Sequence, residues 1–350
     1  MNDEILEKLK DVIYPGFKKS VVDFGFVKKA EFIEGDTVLV LEIPSNNQKV
    51  KDELNSKISK IFGEKLILKI NTPELPKEQS NSQSGKNLLP NIKNFVMVSS
   101  GKGGVGKSTT TTNLAISLAK MGLKVGLLDA DIYGPNIPRM FGIQNSQPAI
   151  EDDKIKPILA NGVYIVSIGN LMGNEALIWR GAMIMKVINQ LLSDVLWGEL
   201  DVLLFDMPPG TGDAQISLAQ NVPVSAGICV TTPQIVALDD SERSLDMFEK
   251  LHIPIAGIIE NMSGFICPDN NKEYEIFGKG GAKDLADEYE TEILAQIPIE
   301  ISLREGGDKG KPISFYEPNS ISAKRYDEAA KKIWEFLQNN SGDNSAIQPR

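Results

Sequence analysis

Residues 101–109 read Gly101-Lys102-Gly103-Gly104-Val105-Gly106-Lys107-Ser108-Thr109. Glycines at this density let backbone N–H groups wrap an anion, and a lysine and a hydroxyl directly after the last glycine add a point charge and an oxygen ligand. The pattern G-x-x-x-x-G-K-[ST] belongs to loops that hold the phosphates of a nucleoside triphosphate, with Lys107 on the β- and γ-phosphates and Ser108 on Mg2+. The same letters contain G-x-G-x-x-G at Gly101, Gly103 and Gly106, with an acidic residue, Asp129, ending the next strand, as a dinucleotide site requires. Three features favour the triphosphate. Lys107-Ser108 has no task in a site for pyrophosphate alone. The next strand is followed by Ala130-Asp131, a second carboxylate where a ribose needs one. A later strand, Val202–Phe205, ends in Asp206, placed to hold Mg2+ through water. A second glycine-rich segment, Gly278–Lys283, lacks the G-K-[ST] ending and reads as a loop before a helix.

Counting rare residues removes other chemistries. The 350 residues hold one histidine, His252, and two cysteines, Cys229 and Cys267. One chain therefore builds no three-histidine zinc site, no H-E-x-x-H protease and no disulfide framework. Cys229 lies in the apolar run Gly227–Thr231 and reads as a core thiol. The net charge of −10 argues against a general nucleic-acid binder, which needs a basic face. Met1-Asn2-Asp3-Glu4 has no basic n-region, and no apolar run approaches the ~20 residues that span a bilayer. A cytoplasmic protein without membrane or nucleic-acid partners is expected.

The elements that must carry these residues follow from periodicity. Residues 1–72 show a helix with Ile5, Leu6, Leu9, Val12 and Ile13 at helical spacing, two strand-like runs separated by Glu34-Gly35-Asp36, a second helix and a third strand. This predicts a small α+β domain in which acidic and basic residues balance. Residues 73–93, rich in Pro, Ser, Asn and Gln, predict a flexible linker. Residues 94–338 carry the charge imbalance and alternate strand and helix. The strands Asn94–Ser99, Lys124–Asp129, Val163–Ser167, Asp201–Asp206, Ala226–Thr231 and Ile255–Asn261 are largely continuous apolar runs. They predict a doubly wound α/β domain with a mostly parallel sheet covered on both faces. The last helix, with Tyr326, Ala329, Ala330, Ile333 and Leu337 on one side, reads as docked on the core, and residues 339–350 as a frayed tail.

Lys102 makes the phosphate loop a deviant one, similar to that of the dimeric ATPases that include nitrogenase iron protein, the cell-division-site selector and the plasmid-partition proteins. Further segments resemble the Mrp/ApbC-type iron–sulfur cluster carrier ATPases: Asp129-Ala130-Asp131-Ile132-Tyr133-Gly134-Pro135-Asn136, Trp179-Arg180-Gly181-Ala182-Met183 (with Ala182 in place of a proline), Asp206-Met207-Pro208-Pro209-Gly210-Thr211-Gly212-Asp213, and Glu260-Asn261-Met262-Ser263. Residues 1–72 resemble the small domain in front of many such carriers. The resemblance implies a slow Mg2+-dependent ATPase acting as a homodimer, with iron–sulfur apoproteins or assembly factors as partners. It implies that Lys102 reaches the partner's nucleotide, that Asp131 orients the attacking water, that Gly210 senses the γ-phosphate through its N–H, and that Asn261 recognises adenine. Plainer readings stand beside these. Asp129 is either a structural hydrogen-bonder or a group backing the Mg2+ ligands, Arg180 a solvated charge, and Asp213 a helix cap.

Such carriers hold a [4Fe–4S] cluster with C-x-x-C from each of two chains, after an N-M-S-x-F segment. Here Asn261-Met262-Ser263-Gly264-Phe265-Ile266 leads to Cys267-Pro268-Asp269-Asn270, so the second cysteine position is Asn270. A dimer then offers two thiolates where four are expected. Four readings are open: incomplete ligation completed by a small thiol or partner, loss of the cluster role, replacement of the ligand, and an ordinary loop cysteine. A positioning or partition ATPase without a cluster is the alternative function, and a nucleotide-dependent ligase a third.

Overall fold

Alternation along the N-terminal strands decides which side of them is buried. The computed structural model describes all residues except 1, 16–18, 34, 44–47, 64, 72–86, 172–180, 271, 279 and 341–350. The chain divides into two units, Met1–Ser82 and Gln83–Arg350. The first contains α1 (Asp3–Leu9), β1 (Val27–Ile33), β2 (Asp36–Glu42), α2 (Gln48–Phe62) and β3 (Leu66–Asn71), in the order expected. β1 pairs antiparallel with β2, and the crossover through α2 makes β3 parallel to β2. Leu39 and Leu41, two apart on β2, share one face and form a core with Ile5, Leu9, Leu54 and Ile58.

The second unit begins with β4 (Ile92–Ser99), α3 (Lys107–Lys120), β5 (Val125–Asp129) and α4 (Ile137–Met140). A small hairpin follows, β6 (Ile150–Glu151) and β7 (Lys154–Ile155), then β8 (Ile158–Ala160), β9 (Val163–Ser167) and α5 (Ile168–Leu171). Next come α6 (Gly181–Ser193), β10 (Leu200–Asp206), α7 (Asp213–Asn221), β11 (Ala226–Thr231), α8 (Ile235–Lys250) and β12 (Ile255–Ile266). The chain continues through β13 (Glu273–Tyr274), α9 (Gly281–Glu288), β14 (Ile293–Ile299), α10 (Ile301–Lys309), α11 (Ile313–Tyr316) and α12 (Ile321–Asn340).

Its nine-stranded sheet runs β12-β11-β4-β10-β5-β9-β8, with β13 and β14 both pairing with β12. All its pairings are parallel except β8 on β9 and β13 on β12. Both faces are buried, which is why the strands read as unbroken apolar runs. Phe95, Met97, Leu203 and Phe205 face a core that includes Ile188 of α6, Leu218 of α7 and Phe248 of α8. Their neighbours Val96, Val98, Val202 and Leu204 face Leu114 of α3 and Tyr326, Ile333 and Leu337 of α12.

The structure corrects the sequence reading at three places. The second unit starts before residue 94, because Leu89 and Ile92 are buried in its core and β4 opens at Ile92; most of the expected linker, and the tail from 341, lie outside the described residues. β14 went unread, since a short run containing Pro298 gives a weak strand signal, yet it pairs in parallel with β12. β12 runs to Ile266, past the expected end at Asn261. Met262 (φ 57°) and Gly264 (φ 86°) adopt left-handed backbone there, the register shifts between Asn261 and Phe265, and the strand resumes in a hairpin with β13.

Candidate nucleotide site

β4 lies between β10 and β11, so the loop after it opens at the carboxyl edge where the strand order reverses, the usual place for a ligand in an open α/β sheet. Ser100 follows the strand, and its hydroxyl donates to Lys102 O at 3.0 Å. Two of the glycines are required by close approach. A Cβ on Gly101 would collide with the Asp240 carbonyl of α8, and one on Gly106 (φ 87°) with the Asn261 amide. At Gly103 and Gly104 nothing lies within 4 Å of a would-be Cβ, so this side of the loop is open to a ligand. Val105 is buried, and its carbonyl accepts from Asn261 Nδ2 at 2.8 Å. Thr109 sits in the first turn of α3, its carbonyl bonded by Asn113. The ammonium of Lys102 has no hydrogen-bond or ion-pair partner among the described residues.

Lys107 opens α3 and is 6% exposed. Its Nζ lies 2.9 Å from Asp206 Oδ1 and 3.6 Å from Asp131 Oδ2. Asp206, at the end of β10, also accepts from Ser108 Oγ (2.6 Å, Oδ2) and from Thr111 Oγ1 (2.8 Å, Oδ1). Asp129, wholly buried, accepts from Ser167 Oγ at 2.8 Å and from the Asp131 N–H at 3.2 Å. Burial, reinforced by the charge of Asp206, pushes the Asp129 carboxyl well above the ordinary carboxylate range. Burial also raises Asp131, with Lys107 opposing it. Three acidic side chains thus converge on one lysine, an arrangement short of positive charge. Ser108 and Asp206 are hard oxygen donors side by side, a set that fits Mg2+. Together with the open glycines and Lys107, they make a cradle for a metal–nucleotide complex.

The loop after β10, Met207–Gly212, carries Gly210 with φ 86°, and its N–H donates to Ser100 O at 2.8 Å. Gln215 holds this loop with three hydrogen bonds, a residue the sequence reading missed. Its amide oxygen accepts the N–H of Gly212 three residues earlier, which is half of a capping box; glycine has no side chain to complete one, so no local sequence signal marked it. Asp213 does not cap α7; it is the first helical residue and Gly212 is the cap. Thr111 and Ser167, which orient Asp206 and Asp129, had no local signal. Gly280 caps α9, as a loop before a helix. Trp179 and Arg180 lie outside the described residues.

Cys267 lies on the turn between β12 and β13. It is partly exposed, and its N–H donates to Lys272 O at 3.0 Å. Asn270 is committed to the same turn, accepting from the Lys272 N–H at 2.9 Å and donating to Tyr274 Oη at 3.4 Å. No group of three or more His, Cys, Asp or Glu suited to a metal ion occurs among the described residues. Cys229 is buried on β11, where burial pushes its thiol up to about 12.

The deviant phosphate loop, the carboxylates at the ends of β5 and β10, and the parallel sheet define a P-loop ATPase. The chain belongs to the NUBPL iron-transfer P-loop NTPase family, whose model matches residues 91–334. It is 52% identical over 358 residues to an iron-sulfur cluster carrier protein of Helicobacter pylori, covering 99% of this chain and 97% of that one. Among solved structures it is similar to a nucleotide-binding protein of Archaeoglobus fulgidus in complex with ADP, at 37% identity and TM-score 0.60, covering 68% of this chain and 94% of the other. The Pyrococcus furiosus cell division ATPase MinD is a more distant likeness, at 25% identity and TM-score 0.53, covering 69% of this chain and 99% of that one. No helix among the described residues is long and apolar enough to cross a membrane.

Proposed function

We propose that this protein is an ATP-dependent carrier of iron–sulfur clusters that works as a homodimer and delivers its cargo to apoproteins. One observation carries the reading: a single strand, β12, joins the nucleotide loop to the cargo cysteine. Asn261 on β12 bonds Val105 of the phosphate loop, and the same strand continues to the partly exposed Cys267. The membership of the family and the similarity to a curated carrier support it.

In this reading Ser108 and Asp206 hold Mg2+, which when bound neutralises phosphate charge. Lys107 binds the β- and γ-phosphates, Asp131 orients the attacking water and Asn261 lies on the adenine side. Gly210 exchanges Ser100 O for the γ-phosphate as acceptor of its N–H. Lys102 completes the partner's site, making hydrolysis conditional on assembly. The cluster is held by Cys267 of two protomers. Asn270 is a poor ligand for an iron–sulfide core and its amide is already engaged, so a small thiol or the recipient supplies the remaining ligands. A weakly held cluster suits a protein that gives its cargo away. The positioning-ATPase alternative shares the fold and has no specific contact in its favour.

Anaerobic reconstitution with ferrous iron and sulfide, followed by visible absorbance and iron per dimer, tests the proposal. Cluster binding that a free thiol strengthens, that Cys267→Ala abolishes and that Asn270→Cys tightens is expected. Cluster binding unchanged in Cys267→Ala, or no cluster under any of these conditions, overturns it.

A further inference from the structure

Gln215 is the third residue of α7, almost wholly buried, with its whole amide spent on one loop. Its Oε1 accepts the Gly212 N–H at 3.0 Å, while its Nε2 donates to Pro208 O at 3.0 Å and to Gly210 O at 2.9 Å. Both amide hydrogens and the carbonyl oxygen therefore have partners, and all three partners lie between residues 208 and 212. A side-chain amide of this kind acts as a template, because moving any one of the three backbone groups relative to the others breaks a hydrogen bond in a buried place. The templated segment includes Gly210, whose left-handed backbone aims its N–H at Ser100 O. A cavity of about 330 Å³ borders the same segment, lined among others by Thr211, Gly212, Ile216 and Met247, so the loop has space beside it.

We infer that Gln215 is the positioning residue of the γ-phosphate sensor. It keeps residues 208–212 in one backbone shape, so the segment moves as a unit and the Gly210 N–H swings between two acceptors, Ser100 O and a terminal phosphate. Without the template the segment has many shapes, and the Gly210 N–H loses its aim. ADP, which lacks the terminal phosphate, is bound without help from this loop. Gln215 thus sets the difference between the two nucleotides and the hydrolysis that depends on it, and touches neither nucleotide. This inference rests on the reading of Gly210 given above.

Gln215→Glu keeps an acceptor for the Gly212 N–H, removes both donors and sets a carboxylate oxygen against two carbonyls; Gln215→Ala removes all three bonds. The measurements are kcat and KM for ATP, and affinities for ADP and a non-hydrolysable ATP analogue, on the full-length protein. Both variants are expected to lose at least tenfold in kcat, to keep ADP affinity within twofold, and to lose the wild-type preference for the ATP analogue over ADP. If Gln215→Ala does not fold, the near-isosteric Gln215→Glu alone decides. A kcat within twofold of wild type with the preference intact overturns the inference, as does equal weakening of both nucleotides. If wild type does not distinguish the analogue from ADP, the Gly210 reading fails, and the inference falls with it through a result separate from any variant.

Discussion

Lys107 meets carboxylate oxygens on two sides, and they hold its chain-end charge where phosphate oxygens would bind. Removing the ammonium leaves Asp206 and Asp131 buried without their cation, and breaking a buried pair from one side costs about 3–5 kcal/mol. The cost depends on pH with a definite sign. Asp129 and Asp131 have raised pKa values, so the folded protein binds protons more tightly than the unfolded chain, and stability falls as pH rises through the folded values. Lys107 opposes that loss. Lys107→Ala is therefore expected to lose nucleotide binding and to be destabilised more at pH 8 than at pH 5, measured by urea unfolding at both. Equal destabilisation at the two values would show that Lys107 does not balance these carboxylates.

Among the elements, α12 separates two fates for an amphipathic helix near a chain end. Tyr326, Ala329, Ala330, Ile333 and Leu337 are all buried against the sheet, together with Leu114 and Leu118 of α3. The contact is reinforced at its rim, where Ser117 and Lys120 of α3 both reach Asp327. Ile333→Ala should cost about 2–5 kcal/mol, as large-to-small changes in a core do, seen as a lower urea midpoint at unchanged m-value. A helix that served as a surface anchor would show no such loss. β12 matters for the opposite reason. Its departure from regular geometry at Met262 and Gly264 shifts the register before the strand resumes beside β13, and Cys267 follows at a turn rather than in the core, where Cys229 lies. The helices were legible in apolar spacing, and so were most strands. The bulge was not, because a left-handed methionine leaves no mark in composition.

For the whole molecule, Lys102, without a partner among the described residues and beside the open side of the phosphate loop, is the residue through which the proposed dimer is tested. If Lys102 acts in trans, specific ATPase activity rises with protein concentration in wild type. Lys102→Ala should then lose more than tenfold in kcat, toward the ~10³ that a cation supplied in trans contributes in other P-loop enzymes, while nucleotide affinity stays within threefold. Specific activity independent of concentration would place the whole reaction within one chain. The small N-terminal unit has its own core.

Contiguous letters were enough for the phosphate loop and the two-faced sheet, and for the missing second cysteine once the resemblance to the cluster carriers supplied the motif. A cradle of backbone N–H groups needs neighbouring glycines, a strand buried on both faces needs an unbroken apolar run, and a ligand motif is a matter of spacing. The order of strands decided the rest, by bringing distant residues together. Asp206 meets Ser108 and Thr111 across 98 and 95 residues, and Asn261 meets Val105 across 156. The raised pKa values of Asp129 and Asp131 arise from burial and from charges that meet only once β5 and β10 lie side by side. Local conformational preference is written residue by residue, whereas desolvation and Coulomb interaction depend on what surrounds a group after the chain has closed.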